Sequence, residues 1–348
     1  MDSIKLGNKE IGEYHPTFII AEAGVNHNGD IEKAKEMIKE ASQMGADAVK
    51  FQTFIPELVA LPNAPKAEYQ IKNSQSNESQ LEMISKLALS FDEFQQLYDY
   101  SKKFDVEFIS TPADEQSAKF LGEFVSIFKV SSADLDNLLL LDTISEFNKP
   151  MILSTGMSNL SKIENTIHFL ENKNFSNFAL LHCTSNYPPK YHELNLRAII
   201  TMKSAFEKIT GYSDHSLGIE IPISAVTLGA RIIEKHFTLD KSLPGPDHKA
   251  SLEPHEFKQM VSGIRNVEKA LGSTRKFKQP SEKEVELSVR KSIVSATNIP
   301  VGKVISRDDI LAKRPATGIS VDRFEEVIGK KAKVEIKKDS IINFSQLI

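Results

Sequence analysis

Short β-prone apolar runs that end in polar residues recur eight times along the chain, and most are followed by a stretch with helical periodicity. They are TFIIAEAG (17–24), AVKFQTF (48–54), VEFIST (106–111), IFKVSS (127–132), PMILST (150–155), FALLHC (178–183), KITGYSDH (208–215) and RIIEKHFTL (231–239). Almost fully apolar starts suit parallel strands covered on both faces, since neither face then meets water. Eight such units predict an α/β fold of the (β/α)8 barrel type.

The intervening segments agree. DIEKAKEMIKEASQMGA sets Ile31, Ala34, Met37, Ile38 and Ala41 near one helical face, with Asp30 as N-cap and Gly45 past the end. Residues 55–90 break the pattern with the polar stretch APKAEYQIKNSQSNESQ before helical periodicity resumes. On a barrel this is a loop of the C-terminal face, either a substrate-covering lid or a passive insertion. The barrel is expected to occupy 1–271. The basic, proline-broken GSTRKFKQPSEKE lies in an expected linker, 272–286. Residues 287–348 are short β-prone runs punctuated by turns, which predicts a small, mainly β domain too small to be stable without docking.

Composition removes several classes. A net charge of −4 carries no basic excess for nucleic acid, and no run nears the roughly 18 apolar residues of a membrane span. MDSIKLGNKE lacks a secretory apolar core, so a cytoplasmic protein without membrane association is expected. Cys183 is the only cysteine, which excludes an intramolecular disulfide framework and a cysteine-only metal cluster.

Barrel enzymes build their sites at the C-terminal ends of the strands, so the polar residues closing each run are the candidates. They are Glu22; Lys50 and Gln52; Ser110 and Thr111; Lys129, Ser131, Ser132 and Asp134; Ser154 and Thr155; His182, Thr184, Ser185, Asn186 and Tyr187; Ser213, Asp214 and His215; Glu234 and His236. Strand alternation puts Lys50 with Gln52, Ser213 with His215, and Glu234 with His236 on common faces. Histidines from adjacent strand ends can converge, and two imidazoles completed by substrate and water oxygens suit Mn²⁺ or a similar divalent Lewis acid. Lys50 and Lys129 on a barrel interior imply either a standing phosphate or carboxylate ligand or ion pairs with Glu22 or Asp134, and a Schiff-base lysine is a further alternative. Alternation sends Asp214 away from Ser213 and His215, so SDH is not read as a hydrolase triad. It also points Cys183 away from His182, which reads as a buried structural thiol. Asp247 and His248 of GPDHKAS could meet substrate hydroxyls or equally be loop-surface residues, and His27 is read as a loop residue bordering the site, without a role.

FIIAEAGVNHNGD, VKFQTF, APKAEYQIKN, ILSTGM, LLHCTSNYP, GYSDHSLG, EKHFTLDKSLPGPDHKASLEP and KRPATGIS, in this order, resemble the bacterial sialic acid (nonulosonate) synthases, a family that includes N-acetylneuraminate and legionaminate synthases. The resemblance implies a TIM barrel followed by an antifreeze-like (SAF) domain exchanged across a homodimer. It implies condensation of phosphoenolpyruvate with an N-acylated mannosamine-type sugar. N-acetylmannosamine is the acceptor expected first, and 2,4-diacetamido-2,4,6-trideoxymannose, giving legionaminate, is the alternative. By motif, His215 and His236 would hold the metal, Mn²⁺ with Mg²⁺ or Co²⁺ as alternatives. Lys50, Lys129, Ser132, Ser154, Ser185 and Ser213 would hold phosphoenolpyruvate, Thr111 would bind substrate, and Glu22, Gln52, Tyr187, Asp247 and the other subunit's Arg314 would meet sugar or intermediate. Glu22 and Asp134 would stabilise developing positive charge or activate water. Many members read SGE after the strand-four lysine, where this chain has Ser132, Ala133 and Asp134, a carboxylate shorter by one methylene. A class I aldolase and a non-catalytic sugar- or ice-binding protein are the readings from other classes.

Overall fold

A computed structural model describes residues 3–74 and 78–348 of the chain. It divides into two compact units, Met1–Gly272 and Ser273–Ile348.

The first unit is a closed barrel of parallel strands: β1 (Phe18–Gly24), β2 (Ala48–Thr53), β3 (Glu107–Pro112), β4 (Phe128–Val130), β5 (Met151–Ser154), β6 (Phe178–Cys183), β7 (Thr210–Asp214) and β8 (Ile232–His236), with β8 pairing back onto β1. Every strand falls within one of the eight apolar runs or within one residue of it. Alternation divides each strand between two cores. Ile19, Ala21 and Ala23 join the layer between strands and helices. Phe18 and Ile20 turn inward with Ala48, Ile109, Ile127, Ile152, Ala179, Leu181 and Ile232, filling the lower barrel with apolar side chains. Continuing the same inward rows upward brings Glu22, Lys50, Lys129, Ser154, Ser213 and Glu234 to the C-terminal end, so the change from oil to charge occurs within single strands.

A hairpin not foreseen from the sequence precedes the barrel, pairing Ser3–Leu6 with Lys9–Gly12 around Gly7. Its Ile4, Leu6 and Ile11 pack into the inner core and close the N-terminal end. The helix Ile31–Gln43 begins as expected, with the Asp30 side chain accepting from the Glu32 and Lys33 amides, and buries Ala34, Met37, Ile38 and Ala41. Residues 55–90 form three short helices, Pro56–Val59, Glu68–Ser74 and Gln80–Ser85, with 75–77 of that segment outside the described residues.

The second unit carries an α-helix, Glu282–Val289, inside a stretch whose composition reads as linker. Beyond it, β9 (Ser292–Ser295) pairs antiparallel with β10 (Ile310–Lys313), and isolated bridges such as Ile299 to Ile336 and Ala332 to Leu347 fold the rest around a core of Ile293, Ile305, Ile310, Ile319 and Ile342. Asp309 organises one corner: its carboxylate accepts from the Ser306 amide at 3.0 Å, the Ser306 hydroxyl at 2.8 Å and Lys303 at 2.5 Å. These donors, Lys303 foremost, hold its pKa down to about 2. No described helix is long and apolar enough to cross a membrane.

Candidate active site

A cavity of about 690 Å³ opens at the C-terminal end of the barrel. The barrel residues given a role by motif line it: Glu22, Lys50, Gln52, Thr111, Lys129, Ser132, Asp134, Ser154, Ser185, Tyr187, Ser213, His215, His236 and Asp247, whereas the strand-end candidates Ser110, Thr155, His182, Thr184, Asn186 and Asp214, and the loop's His248, are not among its lining residues. Arg314 belongs to the second unit, where its Nε donates to the Val289 carbonyl at 2.9 Å.

The floor is a ladder of alternating charge. Lys50 Nζ stands 2.6 Å from Glu22 Oε2, 3.8 Å from Glu234 Oε2 and 3.1 Å from the Thr111 hydroxyl. Lys129 Nζ donates to the Ser154 hydroxyl at 2.7 Å and lies 3.7 Å from Glu234 Oε1, which also accepts from Ser213 at 2.9 Å. Neither lysine is a bare ammonium awaiting an anion: the ion-pair alternative holds, with Glu22 for Lys50. For Lys129 the partner is Glu234 and not Asp134, which instead caps its own turn by accepting from Ser131 at 2.6 Å and Asn137 at 3.1 Å. Burial opposes charge on Glu234, but Lys129 and Lys50 outweigh it and pull the carboxyl down. At Glu22 burial wins over Lys50 and pushes the carboxyl up. Burial also lowers Lys129, despite Glu234.

Beside this floor lies a bay of hydroxyls. Gly156 N–H donates to Ser132 Oγ at 2.9 Å, and a Cβ at Gly156 would come within 2.2 Å of Ser185 Oγ and 2.9 Å of Ser132 Oγ. Glycine is what lets this backbone approach the two serines, a cradle of N–H and O–H donors suited to an anion. Sequence reasoning missed Gly156, and gave Glu234 no role although alternation had set it beside His236.

Next to the bay, across Cys183 Sγ, His215 and His236 meet edge to face with ring centroids 5.2 Å apart. His215 Nδ1 lies 2.8 Å from the Thr184 carbonyl, so that nitrogen carries a proton and the carbonyl orients the ring. Burial opposes charge on His215, but Cys183 and the Thr184 carbonyl outweigh it and raise its pKa. His236 is held neutral: burial first, then His215 and the nearby lysines, lower its pKa well below the ordinary range. Its Nδ1 is buried without a hydrogen-bond partner. Two imidazoles, one oriented by a carbonyl and one with an orphaned nitrogen, fit a divalent cation. Among the described residues no three His, Cys, Asp or Glu side chains form a closed cage, so further ligands would come from substrate and water. Tyr187 stacks on His215 at 4.0 Å and Tyr69 on Tyr187 at 4.8 Å, joining the 55–90 segment to the imidazole pair. Asp247 is buried at the same wall, and burial pushes its carboxyl up to about 6 against the pull of His215 and Lys50.

The structure also places three residues that the sequence left without a firm role in the site. Cys183 is buried, yet it lines the cavity 3.6 Å from Ser132 Oγ rather than sitting in the structural core. His248 places its nitrogens against Thr238 at 2.7 Å and Asn28 at 3.2 Å, which makes it a loop fastener. His27 is buried against Phe51 and accepts from the Gly29 amide at 3.1 Å, so it holds the turn after β1. Burial lowers it to about 4.

A NeuB family profile matches residues 37–276 and a SAF domain profile matches residues 290–348. The N,N'-diacetyllegionaminic acid synthase of Campylobacter jejuni is 46% identical over 94% of this chain and 98% of its own length. Human N-acetylneuraminate-9-phosphate synthase is 36% identical over 95% and 93%. Among solved structures, the N-acetylneuraminic acid (sialic acid) synthetase of Leptospira borgpetersenii, in complex with citrate, superposes with a TM-score of 0.71 at 39% identity, covering 81% of this chain and 94% of that one. The chain therefore belongs to the NeuB family, the phosphoenolpyruvate-dependent nonulosonate synthases that join phosphoenolpyruvate to an amino sugar through a new carbon–carbon bond.

Proposed function

We propose that this enzyme condenses phosphoenolpyruvate with 2,4-diacetamido-2,4,6-trideoxymannose, releasing phosphate and a legionaminate-type nonulosonate. The observation that carries the reading is the pairing, in one cavity, of the serine and lysine bay with the two imidazoles of His215 and His236.

Carbon 3 of phosphoenolpyruvate attacks the sugar's aldehyde carbon, water adds at carbon 2, and the tetrahedral intermediate expels phosphate with C–O cleavage. Lys50, Lys129, Ser132, Ser154, Ser185 and Ser213 hold the phosphoenolpyruvate anion, with the Gly156 amide as a further donor. Gln52, Thr111, Tyr187 and Asp247 meet the sugar, and Asp247, with its carboxyl near 6, can hold a proton close to neutrality. Glu22 and Asp134 face positive charge developing at carbon 2, where fixed carboxylates stabilise it or take the proton of the attacking water. The family is generally metal-dependent. A divalent cation, Mn²⁺ before Mg²⁺ or Co²⁺, on His215 and His236 would supply Lewis acidity at the aldehyde oxygen. Arg314 is assigned to the sugar or intermediate of a second copy, in a homodimer with exchanged C-terminal domains; a barrel truncated at about residue 280 that kept full activity would remove that assignment.

Charge supports an unphosphorylated acceptor. Lys50 and Lys129 are the only lysines or arginines among the described lining residues, and both are engaged by carboxylates. A sugar 6-phosphate would bring a second anion with no further lysine or arginine among the described lining residues, leaving only the second copy's Arg314 to meet it. Leu58, Met83, Ile84 and Leu87 line the same cavity, an apolar wall suited to a 6-deoxy sugar with a second acetamido methyl. The 46% identity to the legionaminic acid synthase, against 36% to the 9-phosphate synthase, leans the same way. N-acetylmannosamine is the second reading, supported by the Leptospira sialic acid synthetase at 39% identity.

The test is phosphate release from phosphoenolpyruvate with the diacetamido sugar, with Mn²⁺ or with chelator, in the parent and in His236→Ala. Release that requires sugar and Mn²⁺ and is lost with metal binding in the variant is expected. Retained metal with near-normal turnover in His236→Ala would remove the metal assignment.

A further inference from the structure

The two histidines each have a neighbour in sequence that faces the other way. Asp214 precedes His215 and Lys235 precedes His236; on β7 and β8 these neighbours are registered against each other. Ser213 and Glu234 turn into the barrel, so Asp214 and Lys235 turn outward into the layer beneath the helices, beside Tyr212, Ile233 and Phe237.

There both are fully buried and form an ion pair of 2.5 Å between Lys235 Nζ and Asp214 Oδ2. The pair does more than neutralise itself. Lys235 Nζ also donates to the Ser216 carbonyl. Asp214 Oδ1 accepts from the Ser216 amide at 3.0 Å, and Asp214 Oδ2 from the Ser216 hydroxyl at 3.0 Å. Together these bonds fix the backbone on both sides of His215 and tie it to the strand that bears His236.

A fully buried ion pair is a costly way to gain stability, because apolar residues of similar volume usually do as well or better. Its position, directly behind the two histidines, points to a role that apolar packing does not supply. We propose that Lys235 and Asp214 are positioning residues: from outside the barrel they lock Ser216 and the β7–β8 register, and so set the spacing and aim of His215 and His236 toward a divalent cation. This rests on the assignment of the two histidines as metal ligands. Neither residue touches the cavity.

The test compares parent, His236→Ala, the double variant Lys235→Met/Asp214→Leu, and Ser216→Ala, which keeps both charges and removes one tie. Mn²⁺ affinity is measured by electron paramagnetic resonance in the presence of phosphoenolpyruvate, alongside Tm. The double variant is expected to keep its Tm within a few degrees and to bind Mn²⁺ about tenfold or more weakly, in the range of lost outer-shell support to a metal site. Its turnover should recover as Mn²⁺ is raised. Should the double variant not fold, Ser216→Ala decides, with about threefold weaker binding at an unchanged Tm expected. Mn²⁺ affinity within twofold of the parent in the folded variant overturns the proposal. If His236→Ala itself binds Mn²⁺ like the parent, the ligand assignment fails instead, and the positioning role with it.

Discussion

Glu22 and Lys50 are cross-strand neighbours on β1 and β2, and their side chains meet at 2.6 Å inside the barrel, both almost wholly buried. The contact turns an expensive pair of charges into a local dipole at the cavity floor. Removing one partner strands the other: Lys50→Met is expected to cost about 3–5 kcal/mol of stability, the range for breaking a buried pair. Lys50→Met/Glu22→Gln should recover much of that while staying inactive. Denaturant titration with a parallel activity assay checks both; equal loss of stability in the single and double variants would show that the pair is not the cause.

Gly156 provides a test confined to the bay. A methyl group there would press on Ser185 and Ser132, a contact of 2.2 Å that must be relieved by moving the serines. Gly156→Ala is expected to raise the KM for phosphoenolpyruvate about tenfold, the equivalent of 1–2 kcal/mol of strain. The KM for the sugar and the Tm should change little. A change in sugar KM alone would put the acceptor, not phosphoenolpyruvate, in the bay.

The second unit has its own pH dependence. Asp309 has a folded pKa of about 2, below the ordinary 3.8, so it contributes stability that is present above about pH 4 and lost as pH falls through about 2. Asp309→Asn should therefore lower stability by about 2 kcal/mol at pH 7 and make little difference near pH 2. Hydrogen exchange over residues 290–348 at the two pH values reads this directly; an equal effect at both would assign the loss to packing.

Much of this architecture is legible in the sequence because a parallel strand buried on both faces must be apolar along its start. That is why FIIAEAG and FALLHC announce β1 and β6. The hairpin Ser3–Leu6 and Lys9–Gly12 escapes the same reading: its strands are four residues each, and only Ile4, Leu6 and Ile11 are deeply buried. Alternation on one strand is also readable, and it sent Asp214 away from His215 correctly. Partnership between distant strands is not. Nothing local tells Lys129 to approach Glu234 rather than Asp134, since that choice depends on barrel closure and on the turn that consumes Asp134. Gly156 is invisible for a related reason, because its importance lies in Ser132 and Ser185, which arrive from β4 and β6.

The cavity's two lysines are engaged by carboxylates and assigned to phosphoenolpyruvate, which leaves no further lysine or arginine among the described lining residues for a phosphorylated acceptor. The most direct measurement is the ratio of kcat/KM for 2,4-diacetamido-2,4,6-trideoxymannose to that for N-acetylmannosamine 6-phosphate, at saturating phosphoenolpyruvate and Mn²⁺. An unpaired phosphate in a site of this kind should cost about 100-fold or more, so the ratio is predicted to exceed about 100. Equal or faster turnover of the 6-phosphate would contradict the account.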